Sequence, residues 1–140
     1  MADLSITAGS VAQSASAVTE QGTAAAAVTA GQVIAKNASG KFDLADANSA
    51  TALLRIPYGI ALHGSLTDQP LLVQVRGDIT IGATVGVGTV YILSATPGGI
   101  ALGCPGSTDL VSGMYTSIIG IGVSATVLRL DFNVSGVVVP

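Results

Sequence analysis

A chain of 140 residues, 13.7 kDa and net charge −3 is long enough to bury one hydrophobic core as a single domain. Its only cysteine, Cys104, excludes an internal disulfide framework and a cysteine-rich metal site. Its few basic residues are scattered, which excludes the dense positive surface that a nucleic-acid-binding protein needs. They are Lys36, Lys41, Arg55, Arg76 and Arg129.

The low density of charge is the second informative property. Charged residues make up 9% of the chain, against about 25% in an average soluble domain. Such a surface resists association poorly. We interpret it as a surface that lies largely against neighbouring subunits; the alternative is a small neutral β domain of the kind common outside cells.

High hydropathy raises the question of a membrane segment. The mean hydropathy is +0.69, and the uncharged stretch Leu110–Leu128 is long enough to cross a bilayer. Because this stretch alternates small polar and large apolar residues, it predicts strands rather than a membrane helix. The segment Met1–Leu4 lacks the features of a signal peptide, so we expect no membrane association and synthesis in a cytoplasm.

Residues 1–22 form a lead-in rich in Ala, Ser, Thr and Gln. Alternation within it predicts short strands, but side chains this small cannot form a core by themselves. We therefore expect either an edge strand added to the main body or an extended arm laid on a partner. Residues 23–140 are predicted to form the β domain.

From Thr23 onward, short runs rich in Val, Ile and Thr alternate with Gly and Pro turns, a pattern typical of strands. The segment Asp46–Arg55 differs, since a capping residue precedes Ala-rich helix formers, and it predicts one short helix. The predicted strands are Val33–Ala35, Lys41–Ala45, Tyr58–Leu62, Leu71–Val75, Ile79–Ile81, Thr89–Leu93, Ile100–Leu102, Ser117–Val123, Val127–Phe132 and Ser135–Val138.

A weak internal duplication runs through the β domain, with copies at about 28–78 and 85–131. Val28–Val33 returns as Val85–Val90, and the sequence Arg-x-Asp closes both copies, at residues 76–78 and 129–131. Repeated strand and turn patterns indicate one closed or two-lobed structure. The predicted fold is an all-β, small barrel- or sandwich-like domain with internal pseudo-duplication and one short helix.

Residues that commonly carry chemistry are sparse. His63 and Cys104 are a conceivable catalytic pair, but nothing nearby predicts an orienting group or an oxyanion site, and a surface-loop histidine is the better interpretation. Asp43 and Asp46 are interpreted as solvating a strand-to-helix junction, with Asp46 or Asn48 capping the helix, rather than as an acid–base pair. We predict no enzymatic activity, no metal site and no cofactor.

Two short motifs also have simpler explanations. Gly82–Gly88 is glycine-rich like a phosphate-binding loop, but a predicted strand follows it where such loops need a helix N-terminus. The tripeptide Arg76–Asp78 matches a cell-adhesion motif. Since the second copy has Arg-Leu-Asp at the equivalent place, the pattern indicates a strand with two charges on one face.

The order of these features resembles a group of small tailed-bacteriophage proteins, the capsid decoration or cement proteins. The resemblance covers about residues 20–135. It rests on Val-Thr-Ala-Gly-x-Val, Phe-x-Leu-Ala-Asp-Ala, Tyr-Gly-Ile-Ala-Leu-x-Gly, Gly-Asp-Ile-Thr-Ile-Gly, Gly-x-Val-Tyr-x-Leu-Ser-x-Thr-Pro-Gly-Gly-Ile and Ile-Gly-Ile-Gly-x-Ser-Ala-Thr.

The resemblance implies a structural protein on the outer surface of a phage capsid, binding the major capsid protein, commonly as a trimer, with no small-molecule substrate. The alternative is a receptor- or glycan-binding β module of a fibre or spike, although the chain has no Trp for stacking on sugars. The residues predicted to contact the capsid or other copies are Asp3, Leu4, Ile6, Val11, Val18, Arg55, Arg76 and Arg129.

Overall fold

The structure is a computed structural model that describes residues 3–104 and 110–140, with the backbone alone at Cys104. Over these residues the chain forms ten strands and two single turns of 3-10 helix, at Ala8–Ser10 and Ala52–Arg55. The strands are β1 (Val11–Gln13), β2 (Val18–Thr23), β3 (Val33–Lys36), β4 (Phe42–Leu44), β5 (Gly59–Ala61), β6 (Pro70–Ile81), β7 (Val90–Leu93), β8 (Ile100–Cys104), β9 (Tyr115–Gly122) and β10 (Val127–Val138).

All strand pairs are antiparallel, and the strands form a curled sheet that closes into a half-barrel. The strand order is β4-β3-β5-β6-β10-β9-β7-β8, and β1 and β2 pair with β6 outside this path. The prediction of a small all-β domain of barrel or sandwich type is confirmed.

The internal duplication is visible in the strand order. From the edge of the sheet to its centre, the strands of the first half follow the order β4-β3-β5-β6. Those of the second half follow the order β8-β7-β9-β10 from the opposite edge. The two halves meet where β6 pairs with β10, with Gly77 opposite Leu130 and Asp78 opposite Arg129. An antiparallel pair of equivalent strands is what a two-fold relation between the halves produces. The Arg-x-Asp sequences of both copies therefore lie side by side at the centre of the sheet.

Strand β6 joins the lead-in to the rest of the molecule. β1 pairs with Ile79–Ile81 at one end of β6, and β2 pairs along the rest of it. A further link runs from Glu20 on β2, whose carboxylate lies 3.3 Å from the Lys36 ammonium. That ammonium also lies 4.3 Å from the centre of the Tyr58 ring. Backbone pairing and this cluster of side chains thus attach the lead-in to the β domain of its own chain.

The main hydrophobic core is shared by both halves. It includes Val33 and Ile60 from the first half and Leu93 and Leu128 from the second, all fully buried. Backbone hydrogen bonds also cross between the halves, for example from the Val33 N–H to the Gly98 carbonyl at 2.9 Å. A smaller cluster around Phe42 lies within the first half. Because the larger core needs both halves, the two copies form one body.

Two breaks that the sequence predicts between strands are absent from the structure. The predicted strands Leu71–Val75 and Ile79–Ile81 are one strand, β6, and Val127–Phe132 and Ser135–Val138 are one strand, β10. Gly77 adopts a φ of +91°, a backbone region that glycine enters without steric cost, so the chain kinks there and continues, and this glycine marks an irregularity inside a strand. The predicted break at Asn133–Val134 corresponds to a register shift in the pairing of β10 with β9, between Leu130 and Asn133.

The predicted helix over Asp46–Arg55 is reduced to the single 3-10 turn Ala52–Arg55. The Asp46 side chain accepts a hydrogen bond from the Asn48 N–H, and the Ser49 hydroxyl accepts one from the Thr51 N–H. Such local side-chain bonds compete with helical hydrogen bonding. Asp46 therefore stabilises a turn and does not cap a helix.

Within the described part of the chain, no helix has the length and apolar character that crossing a membrane requires.

Candidate interaction surface

Exposed apolar side chains and charges are distributed unequally between the two halves. Of the twelve large hydrophobic residues exposed in the described chain, eight lie after residue 82. Of the five basic and eight acidic residues in the sequence, only Asp109, Arg129 and Asp131 lie there. Exposed apolar area with little charge around it marks a surface that another molecule covers. The second half is therefore the candidate interaction surface.

One part of this surface lies where β10 extends past the end of its pairing with β6. Beyond Leu130, β10 pairs with β9 and with no other described strand. We call the exposed residues Ile56, Val134, Val137 and Val138 the valine end. A cavity of about 200 Å³ lies at its base, lined by Ala52, Arg55, Ile56, Tyr115, Val134 and Gly136.

Arg55 lines this cavity and makes no ion pair with any described residue. Its guanidinium lies 4.1 Å from the centre of the Tyr115 ring, and its Nε donates to the Ser49 carbonyl at 2.7 Å. The guanidinium is thus held over the aromatic ring, and a cation in this position is attracted by the ring. Arg55 and Tyr115 consequently form a rigid base, the floor of the valine end, beneath its exposed aliphatic side chains.

A separate surface feature lies at the junction of the halves. It is a group of four charges, Arg76, Asp78, Arg129 and Asp131, which we call the charge quartet. Arg129 donates two hydrogen bonds to Asp78, at 2.8 and 3.2 Å. These bonds hold the pKa of Asp78 below its usual value and raise the pKa of Arg129. Arg76 and Asp131 make no ion pair within the described chain.

The charge quartet borders a groove. Strands β6 and β10 separate beyond the Gly77–Leu130 pair, and the space between them is a cavity of about 480 Å³. Arg76, Arg129 and Asp131 all line it. This separation explains why Arg76 and Asp131, which would form the equivalent cross-strand pair, make no ion pair within the described residues, whereas Asp78 and Arg129 do.

Four of the predicted contact residues lie against the protein's own core. Leu4, Ile6 and Val11 are half-buried and pack on the main core. The Asp3 carboxylate accepts a hydrogen bond from the Ser94 hydroxyl at 2.5 Å, and the Leu4 N–H donates to the Ile100 carbonyl. Asp3 and Leu4 thus lie along the edge of β8, whereas Val11 pairs with Ile81 on β6, so little of these residues is available to a partner.

The other four lie close to the two surfaces described above. Arg55 forms the floor of the valine end, and Arg76 and Arg129 belong to the charge quartet. Val18 is 49% exposed and lies opposite Arg76 in the pairing of β2 with β6. Sequence reasoning did not single out Ile56, Val134, Val137 or Val138; the uncharged sequence from Phe132 to Pro140 was the available signal.

The residues considered for catalysis are separated or engaged locally. His63 is exposed; its Nδ1 lies 2.8 Å from the Gly64 carbonyl oxygen, and its Nε2 accepts a hydrogen bond from the Leu72 N–H at 3.0 Å. Asp43 accepts a hydrogen bond from the Leu44 N–H. The side chain of Cys104 lies outside the described residues, and the described part of the chain contains no group of three or more metal-ligating side chains.

Comparison with known proteins gives no match: no family model, no curated protein and no solved structure is similar to this chain.

Proposed function

We propose that this protein is a capsid decoration protein, which binds the outer surface of a phage head and stabilises it by bridging coat subunits. The proposal assigns it a place on the virion surface, the major capsid protein as its partner, and a structural role without catalysis or a cofactor.

The observation that carries the proposal is the exposed, nearly uncharged apolar surface of the second half. Val137 is 63% exposed and Val134 is 42% exposed. Side chains of this kind gain roughly 25 cal/mol for each Å² of apolar area removed from water, so a partner surface stabilises the complex when it covers them. The resemblance to decoration proteins supplies the class of partner.

A mechanical role follows from this surface. A bound molecule that touches two coat subunits must be released from both before they separate. When one oligomer binds several sites at once, the later contacts form at a high effective concentration, and weak individual contacts become a durable attachment. The resemblance implies trimers, but the bridging mechanism needs only that one particle of this protein contacts more than one coat subunit.

The test uses heads of the phage that encodes the protein, prepared without it, and purified protein added in increasing amounts. We expect saturable binding at a fixed ratio to coat protein, and decorated heads that survive heating or chelator treatment better than bare heads. The matched variants are Val137→Lys and Leu66→Lys, because the two residues are 63% and 62% exposed but lie in different halves. Val137→Lys should weaken binding, and Leu66→Lys should leave it unchanged.

Failure to bind heads, together with selective binding to a glycan array, would replace the proposal with the fibre or spike alternative. Equal loss of binding in both lysine variants would show that added charge, and not the valine end, is responsible.

A further inference from the structure

The signs of the charge quartet alternate along and across the strands. On β6, Arg76 precedes Asp78 by two residues, and on β10, Arg129 precedes Asp131 by two residues. Since β6 and β10 are antiparallel with Asp78 opposite Arg129, each positive charge has negative neighbours on its own strand and toward the other strand. The result is a two-by-two checkerboard, with all four side chains partly or fully exposed.

A checkerboard of charges is complementary to itself. When a second copy is turned to face the first about a two-fold axis that runs along or across the strands, every positive charge faces a negative charge of the other copy. Contacts in which the same patch is used by both subunits are the rule in two-fold dimers. Complementary charge fixes the register of such a contact and disfavours other partners.

Apolar side chains on the neighbouring strands β9 and β2 flank the quartet. Ile121 is 43% exposed and lies opposite Arg129 in the pairing of β9 with β10. Val18 is 49% exposed and lies opposite Arg76 in the pairing of β2 with β6. A contact centred on the quartet would therefore bury apolar area beside the charges, and removing apolar area from water is the main favourable term in most protein association.

We propose that the charge quartet is the docking surface for a second copy of this chain, with the two sheets face to face around a two-fold axis. This goes beyond the proposed function, because it requires no capsid, and it differs from the three-fold association that the resemblance implies. The β10 residues of the valine end follow Asp131 by at least three positions, so a dimer centred on the quartet would present two such ends to a coat surface.

The first experiment measures the mass of the purified protein in solution by light scattering, at about 100 µM, where a contact of micromolar affinity is nearly saturated. We expect twice the chain mass of 13.7 kDa, and dissociation on raising the salt to about 1 M, where charges are screened beyond about 3 Å. A monomer or a trimer at low salt would overturn the proposal.

The decisive experiment inverts the whole quartet with R76D, D78R, R129D and D131R in one chain. The inverted protein keeps an ion pair between positions 78 and 129 and keeps a checkerboard, so it should form its own dimer. In a mixed dimer of one inverted and one original chain, however, every charge of the quartet would face a charge of the same sign. Mass spectrometry of a mixture of the two, with one isotopically labelled, should show two homodimers and little heterodimer. Random mixing would overturn the proposal.

A single substitution checks the same contact with a control. Arg76→Glu removes an attraction that the dimer uses twice and should weaken self-association at least tenfold. Lys41→Glu removes another exposed basic residue, paired with Asp68 at 2.9 Å in the first half, and should leave it unchanged. Circular dichroism of both variants verifies folding. Equal dissociation constants for Arg76→Glu and the original protein would count against the quartet, whatever the outcome of capsid binding.

Discussion

Substituting Gly22 with alanine tests how tightly the lead-in is joined to the body. Gly22 lies on β2, and a Cβ atom there would lie 2.5 Å from Cε2 and 2.9 Å from Cζ of the Phe42 ring. Phe42 is only 1% exposed, and its ring packs against Tyr58 with centroids 6.1 Å apart. The ring has little room to move, so the added methyl group must displace either the ring or β2.

The expected change in the free energy of unfolding follows from two opposing effects. Overpacking a buried site costs about 1–3 kcal/mol, whereas replacing glycine by alanine gains about 0.4–1 kcal/mol through the unfolded state. We expect a net destabilisation of about 1–2 kcal/mol, or a fall in Tm of roughly 3–8 °C for a domain of this size. Urea and thermal unfolding, followed by circular dichroism, measure both quantities.

A control and a double-mutant cycle separate the clash from a general effect of alanine. Gly9→Ala meets no atom within 4 Å and should leave stability unchanged or slightly higher. Phe42→Leu shortens the opposing side chain, so Gly22→Ala should cost less in that background than in the original protein. If Gly22→Ala is as stable as the original protein, or if the two substitutions are additive, β2 does not pack on Phe42 as described.

Two further predictions concern titrating side chains. The pKa of Asp78 is lower in the folded protein than in the unfolded chain. Its ionised form therefore stabilises the fold above the unfolded pKa, and this stabilisation is lost as the pH falls through the folded pKa. Asp78→Asn should lower the free energy of unfolding at pH 7 and make that free energy fall less on acidification, as measured by urea unfolding from pH 7 to 2. Replacing His63 with alanine removes the acceptor for the Leu72 N–H, so hydrogen exchange at the Leu72 amide should accelerate. The amide of Ile79, on the same strand, should exchange as slowly as before. Unchanged exchange at Leu72 would refute the contact.

The fold class was predictable because its signals are local. β-Branched runs separated by turn residues predict strands, and the turn at Asn37–Gly40 joins β3 to β4 as expected, with the Gly40 N–H donating to the Asn37 carbonyl. The duplicated sequence predicted matching halves. The segment Asp46–Arg55 was less predictable, because the carbonyls of Ser49 and Ala50 accept hydrogen bonds from the Arg55 side chain, a contact that no helical pattern encodes.

The interaction surface was only partly predictable. The repeated Arg-x-Asp sequence indicated charges on one strand face, but their alternation depends on β6 pairing with β10 in one register. The scarcity of large side chains in the lead-in predicts that Leu4, Ile6 and Val11 contact a partner. In the structure they pack on a core that the rest of the chain supplies. Short sequence windows do not contain such long-range contacts.

The sharing of one core between the halves has a consequence for how the chain folds during synthesis. Leu128 and Leu130, on the last strand, complete a core that begins at Val33. The first half leaves the ribosome with the apolar face of its strands uncovered, and the missing side chains are nearly a hundred residues downstream. Non-local pairing of this kind is slow, because a long segment must be ordered before its contacts form. We expect the nascent chain to stay open until almost its entire length has emerged, and then to close in a single cooperative step.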